Sequence, residues 1–172
     1  MLGSMNIGRL LLRLAVGGFF VGHGTQKLFG WFGGHGLEGT GQFFESLGMR
    51  PGKQHAAAAG AAEAGGGAML VLGLATPISA AVLTATMLTA IYRVHLKNGP
   101  WATNGGYEYN LVLIAAALTL AEVGPGEPSL GSDWHGPKAA LAALAMGVAG
   151  SAGAHLAAQA GPDAPPEAPA EG

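Results

Sequence analysis

Five stretches of about 20 largely apolar residues, each long enough to cross a bilayer as a helix, dominate this chain. They run from about Ile7 to Phe29, Gln54 to Ala75, Pro77 to Lys97, Tyr107 to Val123 and Lys138 to Ala158. The breaks between them are sharp. Thr76-Pro77 places a proline at the first turn of the third stretch, and Asn98-Gly99-Pro100 and Gly124-Pro125-Gly126 stop the third and fourth. This pattern predicts an all-α transmembrane helical bundle, with four core helices and a fifth C-terminal helix rich in alanine and glycine.

Composition supports the pattern. Charged residues make up 10% of the chain and hydrophobic ones 49%, against about 25% charged in a water-soluble domain. The mean hydropathy is +0.36. The formal charge of −2 offers no basic footprint for nucleic acid, so the expected environment is the lipid bilayer. There is no cysteine, which excludes thiol catalysis and cysteine-ligated clusters. Arg9 and Arg13 precede an apolar run as in a signal peptide, but no A-x-A-like cleavage site follows. The first stretch is therefore read as a retained helix. Residues 1–158 form one domain on this reading, and the Pro/Ala/Glu-rich tail, 159–172, is expected to be disordered.

The glycine-rich segment Gly30–Lys53 separates the first two spans. Within it Thr40–Leu47 reads as a short amphipathic helix, with Phe43, Phe44 and Leu47 on one face at the lipid–water boundary. Trp31 and Trp101 read as interface anchors. Gly18 and Gly22 form a GxxxG pair in the first span, and Gly60, Ala64 and Gly67 supply small positions in the second, where helices approach closely.

Charges inside a bilayer are costly and are usually paired or functional. The up-down order of the spans brings His23 and Lys27 (end of the first), Glu63 (second), Arg93, His95 and Lys97 (end of the third) and Glu108 (start of the fourth) into one leaflet. Glu122 falls on the other side. His23 and Lys27 share a helix face at i, i+4, as do Arg93 and Lys97. Glu63 is too deep to reach water and is expected to pair with Lys27 or Arg93, or to bind a proton. Gln26, Tyr107, Tyr109 and Asn110 add neutral hydrogen-bonding groups. The candidate ligand pocket is thus His23, Gln26, Lys27, Glu63, Arg93, His95, Tyr107, Glu108 and Asn110. Snorkelling of Lys27, Lys97 and Glu108 to the interface is the plain structural alternative. No CxxCH or HExxH motif supports haem or a metal.

The run Gly22-His23-Gly24-Thr25-Gln26-Lys27-Leu28-Phe29-Gly30-Trp31-Phe32-Gly33-Gly34 resembles the DoxX family of bacterial membrane proteins. So do Glu63-Ala64-Gly65-Gly66, the segment Leu72–Pro77, and Gly105–Asn110. The likeness covers about residues 6–131. It departs at Gly131, where the family's pattern has an aspartate. The resemblance implies a four-helix membrane core in the bacterial plasma membrane. It also implies a link to quinone redox chemistry, since related members are subunits of a thiosulfate–quinone oxidoreductase and others are tied to oxidative stress or to quinone and catechol detoxification. Function does not follow from fold, so three readings stand. One is a membrane subunit holding a quinone-like ligand, working with a soluble redox partner. The second is a scaffold that recruits a partner enzyme through residues 30–53. The third is transport, which the one-sided polar cluster disfavours. Lys/Arg counts in the loops tie, with Arg50, Lys53 and Lys97 on one side and Arg9, Arg13 and Lys138 on the other; a cytoplasmic N-terminus is the expectation.

Overall fold

The computed structural model describes residues 6–131 and 134–161, which hold six α-helices and no strand. They are α1 (Ile7–Phe29), α2 (Gly36–Ser46), α3 (Gly52–Leu72), α4 (Thr76–Ala90), α5 (Glu108–Val123) and α6 (Pro137–Gln159). A π turn over Ile91–His95 and a 3-10 turn over Leu96–Asn98 prolong α4. The expected all-α bundle is what forms, and α1 has the predicted bounds. Two helices, Thr76–Asn98 and Pro137–Gln159, are long and apolar enough by themselves to cross a membrane. Nearly all of the tail expected to be disordered lies outside the described residues.

Local chemistry sets the helix ends. The Asn6 side chain accepts from the Arg9 amide at 3.2 Å and caps α1. Gly30 and Gly73, both left-handed, end α1 and α3. Pro77 sits in the first turn of α4.

Helices α1, α3, α4 and α5 form the core, joined around Val16, Phe20, Leu70, Leu83, Met87, Ile114 and Leu120. The α6 helix lies outside against α4 and α5 through an alanine seam of Ala80, Ala81, Ala117, Ala121 and Ala143. Helix α1 also packs closely on α3. A Cβ on Gly17 would stand 2.7 Å from the Gly67 carbonyl oxygen, and one on Gly24 would stand 2.6 Å from that of Gly60. The small-residue prediction needs correcting here. Gly18 and Gly22 meet nothing; the packing glycines of α1 are Gly17 and Gly24, seven apart, because that spacing returns to the same face after two turns.

The α2 helix folds back on α3. Its Gly41 carbonyl touches Gly52, leaving no room for a side chain there, and Glu45 Oε1 accepts from the Gly52 amide at 3.2 Å. Phe43, Phe44 and Leu47 share a face, as expected, and that face borders a cavity, with Phe43 still 47% exposed.

At the opposite end of the bundle, Arg13 is 2% exposed. Its guanidinium donates to the carbonyls of Pro125 (2.8 Å), Gly126 (3.3 Å) and Pro128, and Arg9 donates to Val123 O at 2.8 Å. The α5–α6 loop is thereby tied to α1. Arg9 and Arg13 lie at the end of the bundle where they were expected, with Arg13 held in a buried clasp. Its position in the run Arg13, Val16, Gly17, Phe20, Gly24 marks it as interior, because all five are buried at helical spacing.

Candidate functional site

A partly open cavity of about 770 Å³ lies between α1, α3, α4 and α5, bordered at one side by α2 and at another by Gly150 and Ala154 of α6. Its walls are mostly apolar, with Phe20, Met87, Leu113 and alanines of α3 prominent. Six of the nine candidate residues line it: His23, Lys27, Glu63, Arg93, His95 and Asn110.

Lys27 and Glu63 form the deepest polar pair. The ammonium is 2.6 Å from Glu63 Oε2, with 23% and 7% of the two side chains exposed. The contact follows from the Gly24–Gly60 approach, which brings α1 and α3 close enough for a side chain three residues along from each glycine to meet. A buried carboxylate is costly unless paired and hydrogen-bonded, and Lys27 supplies that pairing. Arg93 does not. His23 adjoins the pair: its Nδ1 faces Gln26 Oε1 at 3.0 Å and so carries the proton, while its carbonyl accepts from Lys27 Nζ at 3.5 Å. Gln26 is therefore a support behind His23; it also donates to Phe32 O at 3.3 Å.

Arg93 and His95 enter from the π turn. Such turns add a residue to the helical register and cluster at functional sites. The extra residue separates Arg93 from Lys97, which was expected to share its face: Arg93 and His95 line the cavity, and Lys97 is exposed. Arg93 donates to Leu47 O at 3.3 Å and to His155 Nδ1 at 2.9 Å, and its Nε is buried without a partner. His95 Nδ1 donates to Gly105 O at 2.8 Å. Asn110, buried, donates to Met87 Sδ at 3.3 Å.

Tyr107 and Glu108 stand apart from the cavity lining. The Glu108 carboxylate accepts from the Ala102 amide at 2.7 Å and shapes the α4–α5 connection. A residue that opens a helix from a tight loop is held by that loop's backbone donors, which is why its place in the sequence cluster did not carry it inside. Two histidines missed by the sequence reading are present: His55 on the lining, and His155, whose ring packs edge-on against Tyr92 at 4.9 Å. His155 is the one ionisable side chain in α6 after Lys138, and that isolation was its signal.

Residues 8–96, from α1 to the π turn, match the DoxX family. The chain belongs to the DoxX family. A protein of Bacillus subtilis (strain 168) named "Putative oxidoreductase CatD" is 38% identical to this DoxX protein over 117 residues, which is 68% of this chain and 81% of that one. No solved structure matches it. The family match includes His23, Lys27, Glu63, Arg93 and His95, so the polar lining lies within the family region except for Tyr109 and Asn110. Helix α6, which contributes His155, lies beyond the family match.

Proposed function

We propose that this DoxX protein is a multi-pass protein of the bacterial plasma membrane that supports quinone-linked redox chemistry by holding a quinone-like ligand in its central cavity. The observation that carries this reading is an apolar cavity of about 770 Å³ with a buried Lys27–Glu63 pair on its wall. Ligand sites of this size are lined mainly by apolar groups with a few fixed polar ones. The flat, apolar body of a quinone suits such walls, and its carbonyl oxygens suit the Lys27 and Arg93 donors. The relative's name as an oxidoreductase supports a redox role.

Reducing a quinone to its quinol takes two electrons and two protons. The chain has no thiol to supply electrons, so on this reading they come from a redox partner protein. Protons pass through His23 or Glu63, and Lys27 or Arg93 stabilises the oxyanion that forms between proton transfers. The test is quinone binding and partner-dependent quinone reduction by purified protein, compared with Glu63→Gln and Lys27→Met. Both variants should lose binding or turnover; unchanged behaviour removes the proposal.

A scaffold role is favoured by a different feature. Phe29, Trp31 and Phe32 form an exposed aromatic cluster at the start of the α1–α2 loop, with ring centroids 5.2 and 6.4 Å apart. On that reading capture of a partner enzyme depends on residues 30–53 and tolerates Glu63→Gln. The quinone reading predicts the reverse sensitivity.

A further inference from the structure

We infer that the cavity selects an amphiphilic anion, with one carboxylate or enolate head held by Arg93 and an apolar body against Phe20, Met87 and Leu113. This rests on the reading of the cavity as a ligand site and names the charge of what enters it.

The argument begins with the charges on the lining. Lys27 and Glu63 neutralise each other at 2.6 Å. Arg93 has no such partner: among the described residues its guanidinium meets a backbone carbonyl, Leu47 O, and an imidazole nitrogen, His155 Nδ1. Arginine is a donor at every nitrogen. His155 Nδ1 is therefore the acceptor in that contact. His23 and His95 each direct Nδ1–H to an oxygen, and His55 Nε2 lies 3.3 Å from Arg50 O. None of these contributes negative charge. Among the described residues of the lining, Arg93 is the cation that no carboxylate meets.

An unpaired cation in a mostly apolar enclosure is unfavourable on its own. It becomes a recognition element when a ligand brings the counter-charge, and a planar guanidinium suits a carboxylate or enolate oxygen pair. Nη1 and Nη2 of Arg93 each spend one contact, on Leu47 O and His155 Nδ1, and each nitrogen carries a second hydrogen that remains for a ligand on the cavity side. A small inorganic anion would leave the apolar walls facing empty space. An anion with an apolar body fills both requirements.

Two matched probe pairs test this in detergent-solubilised full-length protein: 2-hydroxy-1,4-naphthoquinone, ionised at neutral pH, against its neutral 2-methoxy analogue, and decanoate against methyl decanoate. Binding is followed by calorimetry. The anion of at least one pair should bind roughly tenfold or more tightly than its neutral partner, as a charge-assisted contact implies. That preference should vanish in Arg93→Gln and return in part in Arg93→Lys, with thermal unfolding confirming that both variants are folded. Equal binding within both pairs, or a preference that survives Arg93→Gln, overturns the inference. So does binding by none of the four probes. If decanoate alone shows the Arg93-dependent preference and neither naphthoquinone binds, the quinone reading fails and the anion inference stands. If both naphthoquinones bind equally and decanoate does not bind, the reverse holds.

Discussion

Lys27 Nζ lies 2.6 Å from Glu63 Oε2 because Gly24, one helical turn before the lysine, lets α1 rest on the α3 backbone at Gly60. Packing of small residues and the chemistry of the cavity are therefore one feature. The seam that makes the bundle close also sets the position of its buried charges.

Removing one partner should show this in stability. Lys27→Met leaves a carboxylate that is 5% exposed without its cation, and should cost about 3 kcal/mol. The Lys27→Met, Glu63→Gln double variant should recover a third or more of that loss, since neither charge is then stranded. Thermal or denaturant unfolding in mild detergent measures the cycle; strictly additive losses would show that the pair is not coupled.

The two sets of glycines on α1 should respond in opposite ways. Gly24→Ala places a methyl 2.6 Å from the Gly60 carbonyl oxygen. It should destabilise the protein by about 1–3 kcal/mol, as overpacking does, and weaken the ligand site beside it. Gly18→Ala meets no neighbour and should be neutral or stabilise by roughly 0.5–1 kcal/mol through helix propensity. Equal effects at the two positions would contradict the observed seam. The sequence showed that α1 and α3 carry small residues for close contact. It did not show which of the adjacent Gly17 and Gly18 faces inward, because neighbouring residues differ by about 100° around the helix and both are glycine.

Arg13 should behave as a structural clasp. Arg13→Met removes the donors to Pro125, Gly126 and Pro128 and leaves buried carbonyls unpaired. A loss of about 2–4 kcal/mol is expected. Limited proteolysis should then cut within residues 124–136 faster than in the parent protein. Arg13→Lys should recover part of the loss, since one ammonium cannot span three carbonyls as the guanidinium does.

Sidedness can be read without background, because the chain has no native cysteine. Trp31→Cys and Trp101→Cys, at the ends of α1 and of the α4 extension, should react with an impermeant maleimide from the same side of the membrane. Trp134→Cys, between α5 and α6, should react from the other. Labelling of all three from one side would refute the multi-pass arrangement.

The candidate site was legible where helix periodicity governs and illegible where it is interrupted. His23, Lys27 and Glu63 sit in regular helix, so spacing placed them correctly relative to one another. Arg93 and Lys97 were paired on the assumption of 3.6 residues per turn, and the π turn over Ile91–His95 broke that register. Tyr107 and Glu108 follow a turn whose backbone donors engage the Glu108 carboxylate, a contact between loop and side chain that no periodic pattern encodes.

Apolar length, turn residues and scarcity of charge were sufficient to determine an all-α bundle, the order of its helices and the end at which most ionisable groups collect, since these depend on how each segment partitions by itself. The partner of Glu63, the placing of Phe43 and Phe44 beside the cavity, the clasp at Arg13 and the meeting of Arg93 with His155 were decided by tertiary structure. Each needs the rotation of one helix relative to another, which is set by contacts between residues far apart in the chain and is absent from any single helix's pattern.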